Sequence, residues 1–215
     1  MKKLKFDKTM KQVKQYEYVD LGLPSGLKWA TMNVGATTET DYGYYFQWGD
    51  VEDKSNSDCS WATYKYCNGS DTTMTKYCTD SSYGTVDNKT TLETVDDAAT
   101  HIMGGDWRMP TATEFQELYD NTTNEWVEDY NGSGVNGMKF TSKTNGKSIF
   151  FPASGGAYGT GVYNRGSYGY FWSSSLHPSD SYYGLDLLFS SGGIVPQNYL
   201  NRYIGFCVRS VLRNK

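Results

Sequence analysis

Two histidines, four cysteines, a glycine-rich run and one cluster of carboxylates are the groups in this chain with evident chemical capacity. His177 lies in "SSSLHPSDS", where a hydroxyl beside an imidazole is the beginning of a nucleophile–base pair. No G-x-S-x-G turn accompanies it, so serine hydrolase chemistry is not expected. His101 falls in a helical pattern between Thr100 and Ile102 and reads as structural. "GGAYGTG" has the glycine content of a phosphate cradle, but no helix pattern or Lys-Ser/Thr follows it, so it reads as a flexible loop. Asp50, Glu52 and Asp53 are close enough in sequence to meet calcium in a loop, although their spacing is not that of an EF-hand. Cys59, Cys67, Cys78 and Cys207 match no zinc spacing. Their even number permits two disulfides in three connectivities. Cys67 and Cys78 share one polar loop region, which is compatible with a bond between them, whereas Cys207 sits in an apolar run and reads as a buried free thiol. The expectation is a protein without catalytic group, metal or cofactor.

The bulk composition points to binding. A chain of 215 residues fits one domain of above-average size that buries a real core. With 16% aromatic residues and 23 glycines, it reads as loop-rich α+β and not as a helical bundle or a disordered chain. The net charge of −4 argues against nucleic acid as a partner. Basic residues gather in a charged arm over residues 1–16, ahead of a single domain over 17–215. No apolar stretch reaches the roughly 18 residues of a membrane span, so membrane insertion is not expected. Lysines interrupt the N-terminus where a signal peptide would need its apolar core, which leaves a removed signal or release of a phage particle by lysis.

The elements that must position these residues can be read from periodicity. "EYVDLGLPSGLKWATMNVG" gives two strands about a Pro-Ser-Gly turn, and "YGYYFQWGD" a third, buried one. Residues 50–93 form a long polar excursion that retains Trp61, Tyr64 and Tyr66 as anchors. Two helices follow. The first starts near Asp96 and stops at Gly104; the second opens on a capping box from Thr111 to Glu114, with Phe115, Leu118 and Tyr119 on its apolar face. Asn145 and Gly146 suit a tight primed turn in a hairpin, and further strands are expected around 170–173, 185–189 and 206–211. Residues 193–206, "GIVPQNYLNRYIGF", follow neither the period of a strand nor that of a helix.

Several long motifs carry a resemblance. "VDLGLPSGLKWATMNVGATTETDYGYYFQWGD", "GGDWRMPTATEFQEL", "SGVNGMKFTSKTNGKSIFFPASG", "YFWSSS" and "GFCVRSV" closely resemble the Fibrobacter succinogenes major paralogous domain, common in gut Bacteroidetes and their phages. The resemblance covers about residues 17–211 and implies a C-type lectin-like fold, with two helices, antiparallel sheets and long loops. "LDLLFSSGGIVPQNYLNRYIGFCVRSV" is further similar to the variable region of diversity-generating retroelement target proteins, which implies a variable region at about 154–211. There, asparagine codons of the AAY type are rewritten to NNY, which excludes Lys, Gln, Glu, Met and Trp from diversified positions. Asp186, Leu188, Ser190, Gly193, Val195, Tyr199, Leu200, Tyr203 and Ile204 obey that restriction, and residues 148–214 hold no lysine, glutamate or methionine. The family often has serine where this chain has Cys207.

The C-terminal third also reads as a paratope on chemistry alone, because tyrosine offers broad amphipathic contact while ordering few torsions. Tyr158, Tyr163, Tyr168, Tyr182, Tyr199 and Tyr203 are the first candidates for ligand contact, and His177 and Asp180 complete the set. Trp172, Phe189, Phe206 and Val208 are expected to be buried beneath them. Pro196, Gln197, Asn198, Asn201, Arg202, Gly205 and Phe206 form a frame, with Arg202 holding loops through its several donors and Gly205 adopting a backbone angle closed to other residues. The expected function is ligand or receptor binding at a cell surface or on a phage virion. The partner would be a protein or glycan on a target cell, with homo-oligomers suited to avidity. A fixed-specificity glycan-binding or adhesion module is the alternative within binding. An enzyme related to formylglycine-generating oxidases is the alternative outside it, and it requires a second thiol beside Cys207.

Overall fold

The computed structural model describes residues 16–212, so the charged arm lies outside the described residues except for Tyr16. The chain runs β1 (Tyr18–Asp20), β2 (Lys28–Asn33), α1 (Ala98–Met103), β3 (Trp107–Arg108), α2 (Ala112–Asn121), β4 (Thr122–Val127), β5 (Gly137–Ser142), β6 (Ser148–Pro152), β7 (Gly156–Tyr158), β8 (Gly161–Tyr163), β9 (Tyr168–Leu176), β10 (Tyr183–Ser190), β11 (Gly193–Asn201) and β12 (Arg209–Leu212). Four sheets result, ordered β1-β2-β12-β3, β4-β5-β6, β7-β8 and β11-β10-β9. Their strand pairings are antiparallel. With two α-helices beside them among the described residues, this is an α+β domain. β12 inserts between β2 and β3, so the C-terminal strand closes against the start of the domain. Among the described residues no helix is long and apolar enough to cross a membrane.

Two aromatic clusters fill the interior. Trp29, Phe115, Leu118, Phe140, Phe151, Phe171, Leu187 and Phe189 join α2 to the sheets. Trp48, Tyr64, Tyr77, Trp172, Phe206 and Val208 bind the excursion at 50–93 to the C-terminal strands. That excursion contains no regular strand, only isolated bridges such as Cys67 with Met74, and its buried tyrosines fasten it in place. The segment expected as a third strand makes one bridge, Phe46 with Phe206.

The helices form where their caps dictate. Asp97 accepts from the Thr100 amide at 2.9 Å to start α1, one residue beyond the expected position, and Gly104 ends it at a φ of 70°. α2 opens on the expected capping box: the Thr111 hydroxyl accepts from the Glu114 amide while the Glu114 carboxylate accepts from the Thr111 amide. The hairpin between β5 and β6 departs from expectation. Its loop takes four residues, with the Ser142 amide bonded to the Lys147 carbonyl at 2.8 Å. The Ser142 hydroxyl turns into that loop and accepts from the amides of Thr144 and Asn145, which holds it wider than a two-residue primed turn.

The segment without a period is a strand. Along β11 exposure alternates, with Val195, Gln197 and Tyr199 outward and Ile194, Pro196 and Asn198 half-buried. Polarity does not follow exposure there, so the sequence pattern conceals the strand. β11 lies at a sheet edge, and the register steps from Asp186 opposite Asn198 to Leu188 opposite Val195. Pro196 and Gln197 therefore face Leu187 as a bulge, a position where proline's missing amide leaves no ladder bond broken. "GGAYGTG" is likewise ordered: it makes the β7–β8 hairpin and is tied to the Gly205 backbone through Ala157.

Replacing Thr111 with alanine removes one half of the capping box, and a urea titration is expected to show about 1 kcal/mol of lost stability with an unchanged slope.

Candidate binding surface

Arg202 is fully buried and faces no carboxylate among its bonding partners. Its Nε donates to the Tyr64 hydroxyl at 2.8 Å, Nη1 to the carbonyls of Tyr77 at 3.0 Å and Ser181 at 2.7 Å, and Nη2 to the Lys76 carbonyl at 3.0 Å. Its guanidinium carbon lies 4.8 Å from the Trp48 ring centre and 5.2 Å from that of Tyr64. The main chain joins in, since the Trp48 amide donates to the Arg202 carbonyl. Next to this knot Tyr77 donates to Asp96 at 2.6 Å, and Tyr66 and Lys76 bond the same carboxylate. Burial would raise the Asp96 carboxyl, but the bonds from Lys76, Tyr66 and Tyr77 outweigh it and hold it below its usual range. One side chain at the end of β11 thus fastens the excursion beneath the C-terminal strands.

Over that frame the candidate residues divide into four patches. Tyr170, Leu188 and Val195 lie abreast in register and share one face of the β9–β11 sheet. Tyr158, Tyr163, Leu200 and Ile204 enclose a groove of about 190 Å³ with Gly156, Asn164, Tyr170 and Phe206. Tyr203 stands at its rim, its ring 5.8 Å from that of Tyr158 and 4.7 Å from Trp61. Tyr199, abreast of Leu185, belongs to the other face. There its ring lies 4.7 Å from His177 and 5.1 Å from Tyr183, and Tyr182 and Asp180 meet Tyr83 of the excursion. Ser190 and Gly193 are at the hairpin tip, in a shallow cleft of about 350 Å³ with Tyr119 and Trp126. Tyr168 stacks beside Tyr170, with ring centres 6.0 Å apart.

Several expectations need correction. Asp186 is fully buried and offers nothing to a ligand. It bonds the Asn198 amide at 3.1 Å, and burial pushes its carboxyl up to about 8 against the opposing pull of that bond. Gln197, expected in the frame, is exposed because it sits on the bulge. Gly205 does not have a positive φ. It is required for close approach instead, since a Cβ there would lie 2.9 Å from that of Ala157 and 3.1 Å from the Cys59 sulfur. The buried aromatics Trp172, Phe189 and Phe206, together with Val208, are where they were expected.

The groups with catalytic capacity are occupied elsewhere. All four cysteines are free. Cys67 donates to the Trp61 carbonyl and Cys78 to that of Asp80, so the compatible pair does not bond. Cys207 is buried as expected, and burial raises its thiol to about 12 and that of Cys59 to about 11. Near His177 the serine hydroxyls turn away, Ser173 donating to the Leu185 carbonyl and Ser174 to that of Pro110. The His177 Nδ1 accepts from the Asp180 amide at 3.1 Å instead. Asp50 pairs with Lys54 at 3.0 Å and Asp53 accepts from the Tyr45 and Ser55 amides. Among the described residues no group of three or more His, Cys, Asp or Glu side chains could hold a metal ion.

Sequence reasoning missed Trp61 and Tyr83, which bring the excursion into the surface, and Tyr170, which lines the groove. Trp61 was legible as an anchor, but its contact with Tyr203 spans too much sequence for any local signal. No family model, curated protein or solved structure matches the chain.

Two outcomes are expected. Arg202→Met strands buried carbonyls and should cost ~3 kcal/mol or more in chemical denaturation, with little rescue by Arg202→Lys, which lacks the planar fork. For Asp186, the unfolded carboxyl ionises near pH 4 and the folded one near 8. The neutral form is favoured on folding, so its stabilisation is complete at acid pH and is lost as pH rises through about 8. Wild type should lose on the order of 2 kcal/mol between about pH 6 and pH 9, and urea midpoints of Asp186→Asn should not show that loss.

Proposed function

We propose that this chain is a non-enzymatic binding protein of C-type lectin-like fold whose C-terminal surface is diversified by a retroelement. The observation that carries the reading is a separation of exposed from buried residues along one stretch of chain. Ten large apolar or aromatic side chains are exposed among the described residues, and Tyr158, Tyr163, Tyr168, Val195 and Tyr199 are half of them. These are five of the positions the sequence marks as contacts. Arg202, Trp172, Phe206 and Val208, which the sequence marks as frame, are all buried. Exposed positions change at little cost to stability, whereas large-to-small changes in a core cost several kcal/mol. A surface arranged in this way tolerates many sequences on one scaffold. The raised thiols of Cys59 and Cys207 weigh against an oxidase that needs reactive cysteines. The ligand on this reading is a protein or glycan displayed on a target cell, met by the protein at a cell surface or on a virion.

The test is a library in which codons for Tyr158, Tyr163, Val195, Tyr199, Leu200, Tyr203 and Ile204 are randomised to NNY. Most members are expected to fold with melting temperatures within a few degrees of wild type, and panning against unrelated proteins should yield distinct binders. A control library at Arg202, Trp172 and Phe206 should mostly fail to fold. The reading is refuted if the first library unfolds as the second does. It is equally refuted if the gene has no neighbouring template repeat that differs from it at adenines alone.

A further inference from the structure

The groove between β7–β8 and the end of β11 narrows the choice of ligand. Its floor is Phe206, with Leu200, Ile204 and Tyr170 along the sides. Hydrogen-bonding groups at that depth are already satisfied. The Ile204 carbonyl accepts from the Trp172 indole at 3.3 Å, the Gly205 amide is bonded to the Ala157 carbonyl, and Gly156 is paired across the hairpin with Tyr163. At the rim the rings of Tyr158 and Tyr203 lie 5.8 Å apart, and Tyr158 and Tyr163 are exposed. A sugar hydroxyl placed at that depth, against Phe206, Leu200 and Ile204, would give up water without gaining a partner, which costs far more than an apolar group would lose.

Charge is equally informative. Residues 154–211 contain only five formally charged side chains, Arg165, Asp180, Asp186, Arg202 and Arg209, and the last three are fully buried. Arg165 lies over the Tyr42 ring and donates to the Tyr45 hydroxyl at 3.0 Å, while Asp180 accepts from Tyr83. The groove therefore has no free charge of either sign to meet an ionic ligand. At about 190 Å³ it is also smaller than a site for a whole drug-sized molecule and suits one large side chain.

Resting on the binding reading above, we infer that this groove receives a single uncharged, large apolar side chain presented by a protein partner. The anchor enters between Tyr158, Tyr163 and Leu200 and packs on Phe206, and the surrounding tyrosines exclude water from it. Because Leu200 and Ile204 line the groove, exchanging them changes the shape of the recess. Specificity then lies in which apolar side chain fits.

The test uses N-acetyl-L-tryptophanamide and N-acetyl-L-leucinamide as anchors, against methyl α-mannoside and N-acetylglucosamine with calcium chloride, followed by amide shifts in ¹⁵N-labelled protein. The apolar amides are expected to shift Gly156, Tyr170, Leu200, Ile204 and Phe206 at millimolar concentration, and the sugars to leave them in place. Leu200→Asp should abolish those shifts and Tyr163→Ser should weaken them several-fold, each with an otherwise unchanged spectrum. Shifts at the groove from either sugar overturn the inference in favour of a glycan. A concentration-dependent dimer that Leu200→Asp dissolves overturns it in favour of a second copy of the chain. If the apolar amides bind nowhere while the NNY library still yields binders, the anchor is wrong and the diversified surface stands.

Discussion

A guanidinium cannot give up its proton inside a protein, so a fully buried arginine must be surrounded by acceptors. Arg202 meets this demand with two carbonyls and a phenol from segments more than a hundred residues away, and with the nearby Ser181 carbonyl. The excursion at 50–93 would otherwise be a polar loop without regular structure. It is ordered because the end of β11 cannot be buried until Lys76, Tyr77 and Tyr64 arrive. The same contact fixes the backbone from which Leu200, Tyr203 and Ile204 project. Rigidity there comes from a desolvated charge, with apolar packing around it.

What was legible in the sequence follows how local its cause is. The capping box of α2, the glycine that ends α1 and the burial of Trp172, Phe189, Phe206 and Val208 each depend on a few neighbouring residues, and each was readable. The primed turn at Asn145 and Gly146 was misread because the Ser142 hydroxyl competes for the loop amides, a choice that also involves its bond to the Leu21 carbonyl far away in sequence. β11 was hidden because its exposed residues are as apolar as its half-buried ones, so hydrophobic periodicity carries no signal. Its strand character is set by pairing with β10. The general α+β class was readable from composition and element order.

Asp186 shows the limit of reading a site from permitted residue types. Its codon class suits a contact position, and Leu185 and Leu188 beside it along the strand are partly exposed, yet it lies abreast of Trp172 and is sealed. A carboxyl here is tolerated because it can remain neutral beside Asn198. The cost of placing it there is then a dependence on pH, which an exposed aspartate would not bring. Tyr199 errs in the other direction: it is exposed as expected, but on the face opposite the groove, because the bulge at Pro196 and Gln197 shifts the phase of the strand.

That bulge has a second consequence. A nine-residue edge strand without charge is a template on which another strand can add, and chains that do so grow into fibrils. Pro196 removes one amide from the exposed row and the bulge bends the rest, so the edge offers no uninterrupted ladder to a neighbour. On the proposed reading, this protection resides in the backbone and in a residue outside the exchanged set. Side chains on β11 can then be replaced without each new combination having to be solubilised afresh.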